Sequence, residues 1–346
     1  MNSKEILIKA IKREPTPRIP VMILSGGLWV VTNNNMSFAE YFKLSPEEAA
    51  DIVIETNKKL NADLIFAAAG LNNIGISGIG GDVLYTKMGV APAIEHPILE
   101  SIDDIDKIDL NMMTENPIIK QQLAITKILA EKVGNEKMIG ISQWGPITLA
   151  GQLLGIEKFM RCLIKDKKSA HKLMEFTSEL CYKYWELFVD AGAELVEMAD
   201  PTGSGDMISK RQFSEFVIPY AKKIADRIKA TGKVKGVLLH ICGDTSKFLE
   251  ILPETGADIM SFDYKVDLGA AREALDGKMA FTGNMDPVAI MNDATADVVF
   301  DKVNECIEKA QGKKGGYIIM PGCDIPPTTP LANIEAMIKA AHGCTQ

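Results

Sequence analysis

The sequence predicts an α/β fold built as a single (βα)8 barrel. Apolar runs of strand length alternate with segments of helical periodicity, and eight such runs can be recognised along the chain. No dinucleotide-binding fingerprint accompanies them, and eight βα units without one favour a closed barrel over an open sheet. A length of 346 residues suits one such domain with insertions. We therefore expect one domain over residues 1–346, with the barrel core at 18–341.

The first hundred residues predict a helical extension and an interrupted start to the barrel. Residues 4–13 have helical periodicity, with Ser3 as the cap, and RIPVMILSGG is expected to be the first strand. A helical segment at 36–60 precedes the second strand, ADLIFAAAG. Residues 70–98 then form an insertion, with a glycine-rich loop followed by alternating pieces that indicate a hairpin. The loop lacks the GK[ST] pattern of a phosphate-binding loop, so we expect a flexible cover rather than a nucleotide site.

The later strands alternate regularly with helices and end in polar residues. They are predicted at 138–146, 193–201, 235–243, 257–264, 278–287 and 315–323, and a last helix is expected at 329–341. Helix 152–191 is expected to break near Asp166. In a barrel the chemistry lies at the C-terminal ends of the strands. Elsewhere the predicted strands are almost purely apolar, so the polar residues near these ends are functional candidates: Gln143, Asp200, Asp206, His240, Cys242, Asp263, Asn284, Asp286 and Cys323.

Structural roles compete with functional ones for several of these aspartates. Asp200 and Asp286 each precede a proline and could simply shape turns. Asp206 could cap a helix, and for Asp244 we favour the capping role because a predicted helix begins directly after it.

Three of the candidates form a possible metal-ligand set. His240 and Cys242 are two residues apart, so on a strand their side chains leave the same face. Cys323 ends another apolar run. One imidazole with two thiolates suits Zn²⁺, and three protein ligands leave the fourth position that catalytic zinc requires. The alternative is packing, because buried His and Cys are common in cores, and these residues alone favour neither interpretation.

Composition excludes some partners and indicates a compartment. The net charge is −8 and the chain has no basic run, which argues against nucleic acid as a partner. No apolar run approaches the roughly 20 residues that a membrane-spanning helix needs. Six cysteines without a recognisable secretory leader predict reduced thiols and a cytoplasmic location.

Several stretches of the chain resemble the uroporphyrinogen decarboxylase superfamily, and within it the corrinoid-dependent methyltransferase branch typified by methylcobalamin:coenzyme M methyltransferases. They are EILIKAIKREPTPRIPV, QWGPITLA, ADPTGSGDMIS, LHICG, FTGNMDP and PGCDIPPTTPLANI. The resemblance implies Zn²⁺ on His240, Cys242 and Cys323, and methylcobalamin, held on a separate corrinoid protein, as the methyl donor. A homodimer is plausible by the same resemblance.

The resemblance implies transfer of the methyl group to a thiol acceptor such as coenzyme M. Zinc would activate this thiol, since the metal charge favours the thiolate. Asp263 is the candidate for the fourth ligand. Gln143, Asp200 and Asn284 are candidates for binding the acceptor, and Lys265 could bind an anionic group on it.

Three alternative functions stay open at this stage. Bacterial relatives deliver methyl groups to tetrahydrofolate, whose reactive atom is a nitrogen. A corrinoid-binding protein without catalysis could use the same barrel mouth. Uroporphyrinogen decarboxylation is disfavoured, because a substrate with eight carboxylates needs several cations in one cleft. The chain has six arginines, and none is predicted at the C-terminal end of a strand: Arg13, Arg18, Arg161, Arg211, Arg227 and Arg272.

Overall fold

A curled parallel sheet organises the protein. We describe it from a computed structural model, which covers residues 1–24, 27–67, 72–85, 87–312 and 315–344. Seven strands pair in the order β1-β4-β5-β6-β7-β8-β9, and β2 and β3 form a separate antiparallel hairpin. The strands are β1 (Leu64–Phe66), β2 (Val83–Leu84), β3 (Ala93–Ile94), β4 (Met138–Trp144), β5 (Leu195–Ala199), β6 (Gly236–Ile241), β7 (Ile259–Phe262), β8 (Ala280–Met285) and β9 (Tyr317–Pro321).

Helices follow most of these strands, which confirms the predicted α/β class.

No helix within the described ranges has both the length and the apolar character to cross a membrane. The α-helices are α1 (Ser3–Ile11), α2 (Gly27–Asn33), α3 (Phe38–Tyr41), α4 (Pro46–Leu60), α5 (Ile74–Gly78), α6 (Pro117–Val133), α7 (Pro146–Leu154), α8 (Ile156–Lys165), α9 (Lys167–Asp190), α10 (Lys210–Phe216), α11 (Ile218–Ala230), α12 (Leu268–Leu275), α13 (Ala296–Ala310) and α14 (Leu331–His342). Four 3₁₀ helices join them at Ile102–Lys107, Leu110–Thr114, Pro201–Gly203 and Ser246–Thr255.

An extended segment at residues 20–22 joins the two edges of the sheet into a ring. On one side the Met22 amide donates to the Ile319 carbonyl of β9 at 3.0 Å, and the Ile319 amide donates to Pro20 at 3.0 Å. On the other side the Asp63 amide, directly before β1, donates to the Val21 carbonyl at 2.9 Å. The backbone groups that an open parallel sheet would leave unpaired at its edges are thereby satisfied.

A buried ion pair holds this junction in place. Asp63 is fully buried, and its carboxylate accepts from the Val21 amide at 2.8 Å. Arg18 donates to both of its oxygens, at 2.7 and 2.5 Å. A bidentate guanidinium–carboxylate pair of this kind fixes both direction and distance.

The first predicted strand is only partly correct. Val21 forms an isolated bridge with Ile319, but the chain becomes helical at Gly27. The cause is tertiary: Trp29, buried at the start of α2, donates its indole N–H to the Thr329 carbonyl at 2.9 Å. A β-favouring sequence (LWVV) is here overridden by packing.

The glycine-rich segment also differs from the prediction of a flexible cover. Residues 74–78 form the short helix α5, in which Gly75 and Gly78 are buried. A Cβ at Gly75 would lie 1.9 Å from the amide nitrogen of Gln143, so the glycine permits close packing of α5 on the end of β4. An antiparallel hairpin of β2 and β3 lies within the predicted insertion, of which residues 70, 71 and 86 lie outside the described ranges.

The long helical region after β4 contains one helix more than expected. The predicted break at Asp166 is confirmed, since its side chain caps α9 by accepting from the Ser169 amide at 3.2 Å. A further break at Gly155 separates α7 from α8.

The inside of the ring has its own small core. Inward side chains from the lower half of the strands pack together, and Leu7, Ala10 and Ile11 of α1 pack among them. Gly236 leaves room for this helix, because a Cβ there would meet Ile11 at 3.4 Å. Helix α1 therefore covers the N-terminal end of the ring. The opposite end of the ring, at the C-terminal ends of the strands, is polar, and we call it the mouth.

We expect Asp63→Asn to destabilise the protein by about 3 kcal/mol, because it leaves the Arg18 guanidinium without its charged partner in a largely buried position. Chemical denaturation measures this. Asp51→Asn is the matched control: its ion pair with Lys132, at 2.6 Å, is exposed, so less than about 1 kcal/mol should be lost. Equal losses in the two variants would contradict the role assigned to Asp63.

Candidate metal centre

Three side chains from two distant segments meet at the mouth of the ring. His240 is on β6, Cys242 follows that strand and Cys323 follows β9. The Nε2 atom of His240 lies 3.0 Å from the Cys242 sulfur and 3.9 Å from the Cys323 sulfur, and the two sulfurs are 3.2 Å apart. This is the arrangement that the His-x-Cys spacing predicted if both residues leave one face of a strand.

The imidazole of His240 is more deeply buried than the two cysteines. The imidazole is 3% exposed, while both cysteines are partly exposed. The sulfurs therefore face the mouth and the imidazole faces the interior of the ring. A molecule entering the mouth reaches the sulfurs first.

A hydrogen bond joins the two sulfurs and shifts the pKa of each in opposite directions. The hydrogen bond from Cys242, together with His240, lowers the pKa of Cys323. The same hydrogen bond and burial raise the pKa of Cys242. Burial opposes the protonated imidazole, but the neighbouring Cys323 outweighs it and raises the pKa of His240. The set thus favours thiolate character on one sulfur.

A glycine beside each cysteine allows the surrounding loops to approach. Gly243 has a φ of 88°, and a Cβ on it would lie 2.5 Å from the Ser204 hydroxyl oxygen. Gly322 precedes Cys323, and a Cβ there would lie 2.7 Å from the Tyr264 amide nitrogen. Substituting either glycine would displace the adjacent sulfur.

The imidazole of His240 has an orienting partner. Its Nδ1 atom lies 2.8 Å from the Ser261 hydroxyl oxygen of the neighbouring strand β7. This contact fixes the ring so that Nε2 points to the sulfurs. A metal-binding histidine commonly has such a partner on its other nitrogen.

The donor set and spacing fit a tetrahedral zinc ion. Bonds of about 2.3 Å to sulfur and about 2.0 Å to nitrogen put two sulfurs about 3.8 Å apart, and sulfur and nitrogen about 3.5 Å apart. The observed separations of 3.0, 3.2 and 3.9 Å lie within about 0.6 Å of these values. Within the described residues this is the group of potential ligands whose atoms all lie within 4.8 Å of one another.

Asp263, the predicted fourth ligand, lies close to the site but is engaged with the backbone. Its oxygens accept from the Gly243 amide at 2.9 Å and the Lys265 amide at 3.0 Å. It therefore ties the loop after Cys242 to the loop after β7. Asn284 supports the second loop, since its amide donates to the carbonyls of Asp263 and Val266 at 3.0 and 2.6 Å.

The other residues predicted to bind the acceptor have different surroundings. The Gln143 amide nitrogen is fully buried and has no hydrogen-bond partner among the described residues. Lys265 is half exposed and paired with Asp206 at 2.9 Å. Asp200, which directly follows β5, accepts from the Thr148 amide at 2.8 Å. This bond pairs a backbone N–H group in the first turn of α7 that has no partner within the helix.

The contacts show the structural roles of two other aspartates. Asp244 accepts from the Ser246 amide at 2.8 Å, at the start of the 3₁₀ helix, but the N-cap position of that helix is Thr245 and not Asp244. Asp286 accepts from the Val288 and Ala289 amides at 2.8 and 2.9 Å and so shapes the turn after β8.

Sequence reasoning missed a set of polar residues inside the ring. Glu197, in the middle of β5, is 1% exposed, and burial raises its pKa to about 7 against the effect of nearby His240. Ser142 and Thr282 are fully buried on β4 and β8. The strands are therefore less purely apolar than expected. The detectable signal was a single glutamate in the apolar run LVEMA.

Together, the fold and the three converging groups define a class: an α/β ring with a nitrogen and sulfur ligand set at its mouth. A model of the uroporphyrinogen decarboxylase (URO-D) family matches residues 2–344. The chain belongs to this family.

Relatives within the family include two kinds of enzyme. Methylcobamide:CoM methyltransferase MtbA of Methanosarcina acetivorans is 28% identical and the alignment covers 98% of this chain and 97% of that protein. Uroporphyrinogen decarboxylase of Carboxydothermus hydrogenoformans is 27% identical, with 98% and 96% covered. The structure of a methyltransferase from Methanosarcina mazei superposes with a TM-score of 0.84 at 23% identity, covering 99% and 98% of the two chains, which shows the same fold.

These findings confirm the resemblance to the family that the motifs predicted. They also confirm the prediction of an enzyme that transfers methyl groups, since methyltransferases stand among the relatives over nearly their full length.

We expect Asp200→Asn to flatten the pH dependence of stability. Burial raises the pKa of Asp200 to about 7. The folded state then holds the proton more tightly than the unfolded chain, so the carboxyl contributes stability below about pH 4 that is lost as pH rises to about 7. The free energy of unfolding should therefore fall less between about pH 5 and pH 8 in the variant, as denaturation at each pH measures.

The pKa of Glu197 is raised in the same way, so in the Asp200→Asn variant the free energy of unfolding should still fall with pH, but less steeply. Asp200→Ala is the control: it also loses the titration, but it removes the acceptor of the Thr148 amide and should be less stable at every pH. An unchanged slope in Asp200→Asn would show that the carboxyl is ionised throughout.

Proposed function

We propose that this protein transfers a methyl group from a methylated corrinoid, carried by a separate corrinoid protein, to a thiol acceptor such as coenzyme M. It would do so as one closed (βα)8 barrel with Zn²⁺ on His240, Cys242 and Cys323. The convergence of these three groups, with both sulfurs facing the mouth, carries the proposal. The relatives named as methylcobamide:CoM methyltransferases support the choice of donor and acceptor.

The chain's own residues would prepare the site for a thiol. Bound there, Zn²⁺ would lower the pKa of an acceptor thiol, because the metal charge favours the thiolate. Ser261 orients the imidazole of His240. Asp263 and Asn284 hold the loops after β6 and β7, which would keep the Cys242 sulfur in position at the mouth. The acceptor sulfur then forms a bond to the methyl carbon, and the electron pair of the broken carbon–cobalt bond stays with the corrinoid. Catalysis in such a displacement depends mainly on proximity and alignment.

The remaining predicted site residues have roles that follow from their contacts. We propose that Asp263 serves as the fourth ligand at rest, since its carboxylate accepts from the amide of Gly243, the residue after Cys242, and would give up that bond to reach the metal. Gln143 would offer its amide donor to the acceptor. Lys265 would bind an anionic group on the acceptor in exchange for Asp206, while Asp200 acts by shaping the end of β5.

The positions of the arginines weigh against the decarboxylase activity of other family members. Arg18 is committed to Asp63, and Arg13 lies beside Gly316, ahead of β9. The other four are on helices α8, α10, α11 and α12: Arg161, Arg211, Arg227 and Arg272. A substrate with eight carboxylates would find none of them at the mouth.

We expect purified protein, prepared without chelator, to contain about one zinc per chain and Cys323→Ser to contain little, because a hydroxyl is a poor zinc ligand. Elemental analysis measures both. Cys162→Ser is the matched control, since Cys162 is on α8 outside the ligand set and the variant should keep its zinc. Equal zinc in the wild type and Cys323→Ser would remove Cys323 from the ligand set.

The acceptor can be identified by comparing three methyl acceptors with methylcobalamin as donor. We expect coenzyme M to react fastest, uncharged mercaptoethanol more slowly because it offers Lys265 no anion, and tetrahydrofolate not at all. Loss of methylcobalamin absorbance measures each rate. A faster reaction with tetrahydrofolate would replace the thiol by a nitrogen acceptor, and tight corrinoid binding without turnover would point to a binding protein.

A further inference from the structure

A layer of polar side chains lies inside the ring, directly beneath the proposed metal ligands. Each of five consecutive strands, β4 to β8, places one polar residue inward above the apolar floor, and each of these residues is at most 3% exposed. We call them the polar layer: Ser142, Glu197, His240, Ser261 and Thr282.

The register of the strands places these residues in two short rows. Ser142 is paired with Glu197 across β4 and β5, and His240 with Ser261 and Ser261 with Thr282 across β6 to β8. Between the rows the register steps by two residues, since Glu197 is paired with Leu238, which points to the same face as His240. Residues paired across a ladder point to the same face of the sheet. The carboxyl of Glu197 and the imidazole of His240 therefore face one enclosed space from adjacent strands.

Among the described residues, three buried atoms of the polar layer lack a hydrogen-bond partner in good geometry: the hydroxyl oxygens of Ser142 and Thr282 and the Oε2 atom of Glu197. The Ser142 hydroxyl is still near enough to the Glu197 carboxyl to lower its pKa. A buried polar atom left unpaired costs about 1–3 kcal/mol, and more if it is charged. Proteins commonly satisfy such groups with buried water, which needs two or more polar partners in one place. The polar layer provides three such partners within one ring.

The protonation of His240 sets the direction in which hydrogen bonds are donated within the polar layer. For Nε2 to bind a metal, the ring must be neutral with its proton on Nδ1, so Nδ1 donates to the Ser261 hydroxyl oxygen. The Ser261 hydroxyl hydrogen must then find an acceptor of its own. Glu197 is the carboxyl group of the layer, and water can bridge to it.

We propose that the polar layer holds ordered water and that Glu197 is a positioning residue, acting through this water and His240 to strengthen zinc binding. The inference rests on the proposed function, since it takes Zn²⁺ as the bound ion. A carboxylate at the end of a hydrogen-bonded chain polarises the imidazole towards the metal and makes it a better ligand.

The test is the zinc affinity of purified full-length variants, measured by competition with a coloured chelator. Glu197→Gln keeps the shape of the side chain and removes its charge, and we expect it to weaken zinc binding about tenfold. Glu194→Gln is the matched control: it makes the same change three residues earlier in the chain, in a carboxylate paired with Lys4 of α1 at 2.6 Å, and should leave zinc affinity unchanged. Unchanged affinity in Glu197→Gln, or the same loss in both variants, would overturn the proposal.

A cobalt-substituted protein separates positioning from damage to the ligands. Co²⁺ reports its ligands through thiolate charge-transfer and d–d absorption bands. We expect Glu197→Gln to bind Co²⁺ more weakly with the same bands, because the ligand set stays intact. Altered bands would show that the substitution has broken the ligand set itself, which contradicts a positioning role.

The outcomes also distinguish this inference from the proposed function. A wild-type protein that binds zinc while Glu197→Gln binds it equally well would overturn this inference alone. A wild-type protein that binds no zinc would overturn both. The water can be tested without any variant: a high-resolution crystal structure should show density within hydrogen-bond distance of Glu197, Ser142 and Thr282, and an empty layer would contradict the proposal.

Discussion

The closure of the sheet by residues 20–22 is the constraint on which the rest of the structure depends. His240 is on β6 and Cys323 directly follows β9, and two strands separate β6 from β9 in the sheet. In a flat sheet their side chains would lie far apart, since neighbouring strands are about 4.8 Å apart. The sheet edges can meet only if the sheet curls, and curling turns the ends of these strands towards each other. The hydrogen bonds of Val21, and the Arg18–Asp63 pair that holds it, therefore act on the metal site from the opposite end of the ring.

The site is also assembled from both ends of the chain. Helix α2 holds the loop that follows Cys323, through the bonds of Trp29 to Thr329 and of Asn33 to Pro327. The opposite wall is fixed by Asp263, which joins the loops after β6 and β7. Each cysteine thus lies between a strand that positions it and a loop anchored elsewhere. Such support from surrounding groups keeps a ligand set in place when no ion is bound.

Much of the fold and the centre of the site could be predicted from the sequence, because both depend on local patterns. Alternating apolar and helical segments give the strands, and a spacing of two places His240 and Cys242 on one face. Helix α2 could not be predicted in this way, since its helical state depends on a contact with Thr329, 300 residues along the chain from Trp29. Glu197 was missed for a related reason. A lone glutamate in an apolar strand indicates function only when its inward direction is known, and that direction depends on the register of the whole ring.

Helix α1 closes the N-terminal end of the ring, and this limits how small molecules can reach the candidate site. Leu7 and Ile11 fill the N-terminal end, so in the described part of the chain a small molecule reaches the sulfurs from the mouth. Under the proposed function, the small acceptor and the large donor would enter through the same opening. A bulky donor that covers the opening would enclose an acceptor already bound and keep out one that is not. The proposed reaction would then take the acceptor first and the donor second, and would release the product after the donor departs.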